Sequence, residues 1–393
     1  MKQAVSGNVM ILVTGASGFL GQAVVERLLA HGHLDLRCFV RPNNDTSALE
    51  EIRKRFPTAQ IKYQSGNLAL LEDARRAVDG VGTIYHLAAG MRGLPATIFT
   101  NTVVASKCLI EAVRGEKRRI VLVSSLGVYA TSFLKAGALV GENTQLDPHP
   151  EKRNVYFHAK IWQERLFREE ANKGTIDLVV LRPGVLYGEG NRNRGFPSRV
   201  GISVGKVLLV FGGKNSLPLS HVVNCAEAVA LVGESPAASG QSYNIVDDDL
   251  PSAIGYLRQY RRQVSKVAAV RFPYPVTMML SRAVETYHAH SHGQIPAVLT
   301  AYESRAIWKG HRFDNRRIKE LGWKQIIPTS QAIHETFADM RAGMNSHATD
   351  YKAAARVEPA RSSSRDRDNL PSGVFIFIQS LMSRKDGRVS RNH

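Results

Sequence analysis

At 393 residues, 44% of them apolar and 22% charged, the chain is long enough to bury one large core or a core with a smaller lobe, which excludes wholesale disorder. Lysine and arginine number 52 against 34 acidic residues, a net charge of +18, which favours anionic partners such as nucleotides, phosphates, nucleic acid or an acidic surface over cationic ones. Cys38, Cys108 and Cys225 lie far apart in apolar neighbourhoods, which excludes a disulfide framework and a zinc spacing and points to a reducing, cytoplasmic compartment.

Apolar runs alternate with amphipathic stretches through the first half, the pattern of an α/β fold with a doubly wound parallel sheet. The first strand is predicted at residues 9–13, a run too short for a secretory h-region, and the helix at 19–30 follows it. Then come strands at 36–40 and 61–64, a helix at 70–78, a strand at 83–87, a helix at 97–113, and a strand at 120–124. A helix at 156–171 and a strand at 177–181 complete the alternation, so residues 8–181 read as the sheet domain. From residue 182 glycine, proline and short mixed segments indicate a smaller lobe to about 341. Residues 342–393 are polar, charge-mixed and aperiodic, and read as a disordered basic tail in which the apolar run at 374–378 (VFIFI) is expected to be an opportunistic contact or docking strand rather than a membrane anchor. No apolar run approaches the roughly 18 residues of a membrane span.

The segment TGASGFLG at 14–21 sits between the first strand and the first helix. Glycines there permit a tight turn and close approach of a pyrophosphate, whose charge meets the helix N-terminus, so dinucleotide binding is expected. The second strand ends in Arg41, whereas Asp35 lies before it. An arginine at that strand end suits a 2′-phosphate, favouring NADP over NAD. Tyr156 and Lys160 share a helical face one turn apart, a spacing in which an ammonium lowers a tyrosine pKa towards neutrality for proton transfer.

Together with HLAAG (86–90), VLVSSLGVYA (121–130), YFHAK (156–160), LRPGVLYGEG (181–190) and HVVNCAEAVA (221–230), these segments resemble the extended short-chain dehydrogenases/reductases, the NAD-dependent epimerase/dehydratase family. CFVRP and the run at 212–219 lean towards its branch of dihydroflavonol reductases and 3β-hydroxysteroid dehydrogenases. The resemblance implies a Rossmann-type sheet with a C-terminal substrate lobe. It implies Tyr156 as acid/base, Lys160 as its partner and ribose ligand, and Ser125 as the hydroxyl that orients the reacting oxygen. It further implies cofactor contacts from Gly15, Ser17, Gly18, Phe19, Leu20, Gly21, Asn67, Leu68, Ala88 and Ala89. Asn67 stands where the family usually has the aspartate that meets adenine. A homodimer is implied as well.

The expected reaction is hydride exchange between a nicotinamide cofactor and a carbinol or keto carbon of a small molecule, a nucleotide sugar or a reductase-type carbonyl compound. Arg192, Arg194, Arg199, Lys206 and Lys214 gather in residues 188–224 and suit a phosphorylated substrate, Arg192 and Arg194 being the named candidates. A non-catalytic NADP(H) sensor or scaffold is the alternative. No nucleic-acid partner is expected, because the basic stretch Arg258, Arg261, Arg262, Lys266 and Arg271 lacks interleaved aromatics. His288, His290 and His292 have no nearby carboxylate or cysteine, so no metal is expected.

Overall fold

The structure, a computed structural model, describes residues 10–191, 197, 199–204, 207–210, 213–290 and 300–354. Its first half runs β1 (Met10–Thr14), α1 (Phe19–Ala30), β2 (Asp35–Val40), α2 (Ser47–Arg55), β3 (Gln60–Ser65), α3 (Leu71–Val78), β4 (Val81–His86), α4 (Pro95–Phe99), α5 (Ala105–Ala112) and β5 (Arg118–Val123). A π-turn at Thr100–Val104 joins α4 to α5. There follow β6 (Leu139–Val140), α6 (Val155–Asn172), β7 (Ile176–Pro183), β8 (Val185–Tyr187), β9 (Gly201–Val204), β10 (Val207–Val210), β11 (Leu219–His221), α7 (Val222–Glu234) and β12 (Ser242–Ile245). The chain continues through α8 (Ala253–Gln263), β13 (Ala268–Arg271), α9 (Tyr274–His290), α10 (Ala301–Trp308), β14 (Arg312–Phe313), α11 (Arg316–Glu320) and α12 (Thr329–Ala354).

Seven strands form one parallel sheet in the order β12-β7-β5-β4-β1-β2-β3. Its strands read as nearly unbroken apolar runs because helices cover both faces. The two-residue period of a strand divides those runs between two cores. Val13, Val121, Val123, Val179 and Leu181 pack with α1 and α7, whereas Leu12, Ile84, Ile120, Leu122, Leu178 and Val180 pack with α3, α5 and Phe167 of α6. A third core joins Tyr187, Leu208, Leu219, Tyr256, Ile333 and Phe337 in the lobe.

Three expectations are corrected. The sheet does not end at residue 181: β12 supplies its edge strand, and α7 packs on α1, where Arg27 meets Glu227 at 2.6 Å. The chain therefore enters the lobe, returns to complete the sheet, and leaves again, so the boundary at 181/182 is interleaved. Helix α12 continues to Ala354, beyond the expected start of the tail at 342, because its buried Ala332, Ile333, Phe337 and Met340 dock its first turns on the lobe. Asp35 opens β2 instead of preceding it. Residues 374–378 lie outside the described residues.

Candidate functional site

The turn at residues 15–18 lies at the C-terminal end of β1, at the centre of the sheet. Gly15 has φ +72°, and a Cβ there would stand 3.0 Å from the Ala88 amide nitrogen. At Gly21 a Cβ would lie 2.1 Å from the Gly15 carbonyl oxygen, so the first turn of α1 rests directly on the loop. The Gly18 amide donates to the Gly15 carbonyl at 3.0 Å, and Gly18 caps α1 without a side-chain hydrogen bond. The amide-lined end of α1 at Phe19 and Leu20 is thus left for an anion, and no Cβ fills the approach.

The loop after β2 closes over this turn. Asn44 Nδ2 donates to Ser17 Oγ at 3.0 Å, and its amide donates to the Arg41 carbonyl at 3.2 Å. Exposed Arg41 is thereby carried beside the glycine turn. Asn67 uses its side-chain carbonyl locally, accepting from the Ala69 amide at 3.1 Å, while Leu68 is buried. Ala88 and Ala89 are half-buried after β4, and the Ala88 carbonyl faces Gln163 Nε2 at 3.5 Å.

The two serines after β5 part company. Ser124 is buried and donates to Glu164 at 2.6 Å, whereas half-buried Ser125 accepts from the Gly127 amide at 3.2 Å. Asn154 caps α6 by accepting from the Phe157 amide at 3.1 Å. The Phe157 ring occupies the space a Cβ at Gly127 would need, 2.0 Å away, which seats the start of α6 against the turn after Ser125. Tyr156 stands in this first turn, and Lys160 follows one turn on.

Lys160 is buried and donates to the Val123 carbonyl at 2.7 Å and to Gln163 Oε1 at 2.8 Å. Because Gln163 accepts through Oε1, its Nε2 donates to His86 Nε2 at 3.2 Å and to Ser106 Oγ at 2.9 Å. His86 then carries its proton on Nδ1 and donates to Thr14 Oγ1 at 2.8 Å. Burial, reinforced by the Lys160 charge, lowers the His86 pKa to about 3, so the imidazole stays neutral. A buried chain of hydrogen bonds thus joins Lys160 to the strand that carries the glycine turn.

The expectation that Lys160 acidifies Tyr156 is not met. Burial pushes the Tyr156 phenol up to about 12, and the ammonium is held by Val123 and Gln163. Burial lowers Lys160 itself to about 7, against an opposing pull from Glu164. The unfolded lysine keeps its proton up to about 10.5 while the folded one sheds it near 7, so stability rises with pH in between. Chemical denaturation of the protein without added nucleotide is expected to show a gain of about 2 kcal/mol between about pH 7.5 and pH 9.5 that Lys160→Met lacks. Equal slopes in the two proteins would mean that Lys160 is not held in this desolvated state.

Sequence reasoning missed a second buried cluster. Arg182 donates to Glu164 and, at 2.6 Å, to the Tyr129 hydroxyl, which donates to Asn244 Oδ1 at 2.6 Å. Its guanidinium lies 4.5 Å from the Tyr129 ring centroid. The only available signal was the position of Glu164 four residues after Lys160. Arg192, Arg194, Lys206 and His292 lie outside the described residues. Lys214 is exposed, as are Arg258, Arg261, Arg262, Lys266 and Arg271, in keeping with a solvated face. Among the described residues no group of three His, Cys, Asp or Glu side chains is placed to hold a metal ion, and no helix is long and apolar enough to cross a membrane.

Residues 11–246 match the NAD dependent epimerase/dehydratase family. The chain is 27% identical over 348 residues to cinnamoyl-CoA reductase 2 of Arabidopsis thaliana, covering 84% of this chain and 92% of that protein. It is 29% identical over 248 residues to a Bacillus subtilis protein described as an uncharacterised UDP-glucose epimerase, covering 60% of this chain and 76% of that one. The fold matches the UDP-glucuronic acid 4-epimerase of Bacillus cereus solved with NAD, with a TM-score of 0.63, 19% identity, and coverage of 84% and 96%. With a glycine turn at the centre of a seven-stranded parallel sheet and a family match over more than half its length, the chain belongs to the NAD dependent epimerase/dehydratase family, whose enzymes use a nicotinamide cofactor.

Proposed function

We propose that the chain is an NADP(H)-dependent oxidoreductase that reduces a carbonyl carbon of a small-molecule substrate. The observation that supports this reading is the buried hydrogen-bond chain from Lys160, held on the Val123 carbonyl at the end of β5, through Gln163 and His86 to Thr14 in the strand that ends in the glycine turn, with Ser125 two residues beyond Val123 and Tyr156 one helical turn before Lys160. The amides at the start of α1 bind the pyrophosphate, and Arg41 meets a ribose 2′-phosphate. Bound there, the nicotinamide supplies hydride at C4 of its ring.

The chain's own groups handle the oxygen and its proton. Ser125 Oγ hydrogen-bonds the substrate carbonyl oxygen and fixes its direction. Tyr156 donates the proton to that oxygen as the carbonyl carbon is reduced. A phenol held near 12 is protonated at neutral pH, the state that can donate. Lys160, anchored on Val123, lies one turn away to bind the cofactor's ribose hydroxyls. The bonds to the Val123 carbonyl and Gln163 fix the direction of that side chain.

The test of cofactor choice is Arg41→Ser. The variant is expected to bind NADPH about ten-fold more weakly, with NADH affinity unchanged, because one charge-assisted contact is removed. Equal losses for the two nucleotides, or none, would remove Arg41 from the site. A screen of carbonyl compounds for NADPH consumption then tests the reaction itself.

A further inference from the structure

Two arginines, one held against the turn that follows Ser125 and one in the lobe, have more hydrogen-bonding capacity than the described residues satisfy. Arg153 lies three residues before Tyr156, and its side chain is only 6% exposed. Its Nη2 donates to the Gly127 carbonyl at 3.0 Å, which fixes the guanidinium against the turn that follows Ser125, and Phe157 stacks beneath it at 5.3 Å. Yet Nε and Nη1 of Arg153 are buried without a hydrogen-bond partner among the described residues. The nearest acid is Asp147, whose Oδ2 stands 3.8 Å from Nε, too far for a hydrogen bond. Asp147 accepts through Oδ1 from Tyr302 Oη at 2.7 Å and from the His149 amide at 3.0 Å, while its Oδ2, ion-paired with Arg153 at this longer distance, makes no hydrogen bond among the described residues.

Arg199 lies in the lobe, near enough to Arg153 to feel its charge. Its guanidinium lies 5.5 Å from the Phe313 ring centroid, and its Nη1 is buried without a hydrogen-bond partner among the described residues. Burial and then the neighbouring charge of Arg153 lower its pKa to about 10, and no acidic group opposes them. His311, which also feels Arg199, holds the Thr131 carbonyl through Nε2 at 2.9 Å and leaves Nδ1 buried without a partner among the described residues. Buried donors and buried charges without partners are costly, and a native chain keeps such groups where a ligand completes them.

We propose that Arg153 and Arg199 clamp a singly charged oxyanion carried by the substrate, either a carboxylate or a diester-type phosphoryl group, beside the carbonyl that Ser125 and Tyr156 address. Two guanidiniums against one Asp147 carboxylate leave a single positive charge to balance. Their free N–H groups supply forked donors that suit planar or tetrahedral oxyanions alike. The Phe157 and Phe313 faces flank the arginines and favour an apolar or aromatic body next to the anion. This names the substrate class for the oxidoreductase reading given above and rests on it for the identity of the neighbouring site.

The test uses the full chain and three probes: benzoate, diphenyl phosphate and neutral benzamide, titrated by calorimetry. Benzoate or diphenyl phosphate is expected to bind and benzamide not to, the better anion telling carboxylate from phosphodiester. Arg199→Gln is expected to weaken the anion about ten-fold or more while NADPH affinity is unchanged. Its melting temperature without ligand is expected to equal or exceed that of the wild type, because a buried unpaired charge has been removed. Arg199→Lys, which keeps the charge but loses the fork, is expected to fold and to show intermediate anion affinity. Benzamide binding as well as the anions, unchanged anion binding in Arg199→Gln, or a variant that melts lower or fails to fold would each overturn the clamp, the last by making Arg199 a structural cation. None of these readouts depends on turnover, so their failure is distinct from failure of the reductase reading, which Arg41 and Tyr156 test.

Discussion

Replacing Tyr156 with phenylalanine is expected to lower kcat/KM for any carbonyl whose reduction consumes NADPH by about 10²–10⁴-fold, the range for losing one positioned proton donor. NADPH affinity is expected to stay at the wild-type value, since the phenyl ring is kept and only the hydroxyl goes. The reason lies in the state of the group: desolvation of the half-buried Tyr156 phenol holds it near 12, so it carries its proton throughout the neutral range. In the reducing direction the variant has no group at this position to protonate the developing alkoxide. Comparison of single-turnover rates and cofactor titrations of the two proteins checks both halves. Unchanged turnover with a verified substrate would move the acid to another residue and with it the reaction assignment.

The second large effect is structural. Arg182→Met is expected to destabilise the protein by about 3–5 kcal/mol in chemical denaturation at neutral pH, because it leaves Glu164 as a buried carboxylate with less than its complement of partners. Glu164 and Arg182 are almost wholly buried. Burial alone would raise the Glu164 pKa, but Arg182, then Arg168 and Ser124, outweigh it and hold the carboxylate ionised. The same arginine anchors the Tyr129 hydroxyl and lies between β7 and the turn that carries Ser125, so its loss loosens the floor of the site. Arg168, which pairs with Glu164 at 2.8 Å from a more exposed position, retains part of the compensation and limits the loss. By contrast the exposed Lys54–Glu51 pair belongs to the class of surface pairs that contribute about 0–1 kcal/mol. A loss below about 1 kcal/mol for Arg182→Met would show that the buried pair is no more important than such surface pairs.

The periodicities that carry the sheet are local, and for that reason they were readable. The α1 helix was expected at 19–30 and runs over Phe19–Ala30, and the strands of the first half lie within a few residues of their predicted ranges. Residues 47–55 fold as a helix that escaped notice, because only Leu49 and Ile52 are buried on it. The edge strand β12 was illegible for a different reason. Its four residues, Ser242–Ile245, are all buried, and nothing local says that they pair with β7 across some sixty residues of chain. Long-range pairing is decided by the helix α7, whose small residues Ala226, Ala228 and Ala230 let it pack closely.

The site divides in the same way. The glycine turn and the Tyr156–Lys160 spacing are contiguous signals with fixed geometry. The acidity of Tyr156 is not, because it depends on where the Lys160 ammonium points, and Gln163 and the Val123 carbonyl decide that. Arg153 and Arg199 are separated in sequence, and each is set by a ring contact of its own, Arg153 over Phe157 and Arg199 over Phe313, so composition gave no reason to single out Arg153 from the other arginines.

Fluorescence titration of the full chain with NADPH and with NADH, followed by mass spectrometry of any nucleotide that co-purifies, tests whether residues 15–21 and Arg41 form an exchangeable NADP(H) site. Saturable NADPH binding, tighter than NADH by about ten-fold in the wild type and falling to the NADH level in Arg41→Ser, is the expected result. Binding of neither nucleotide, or tightly retained NAD that NADPH cannot displace, would contradict the reductase assignment.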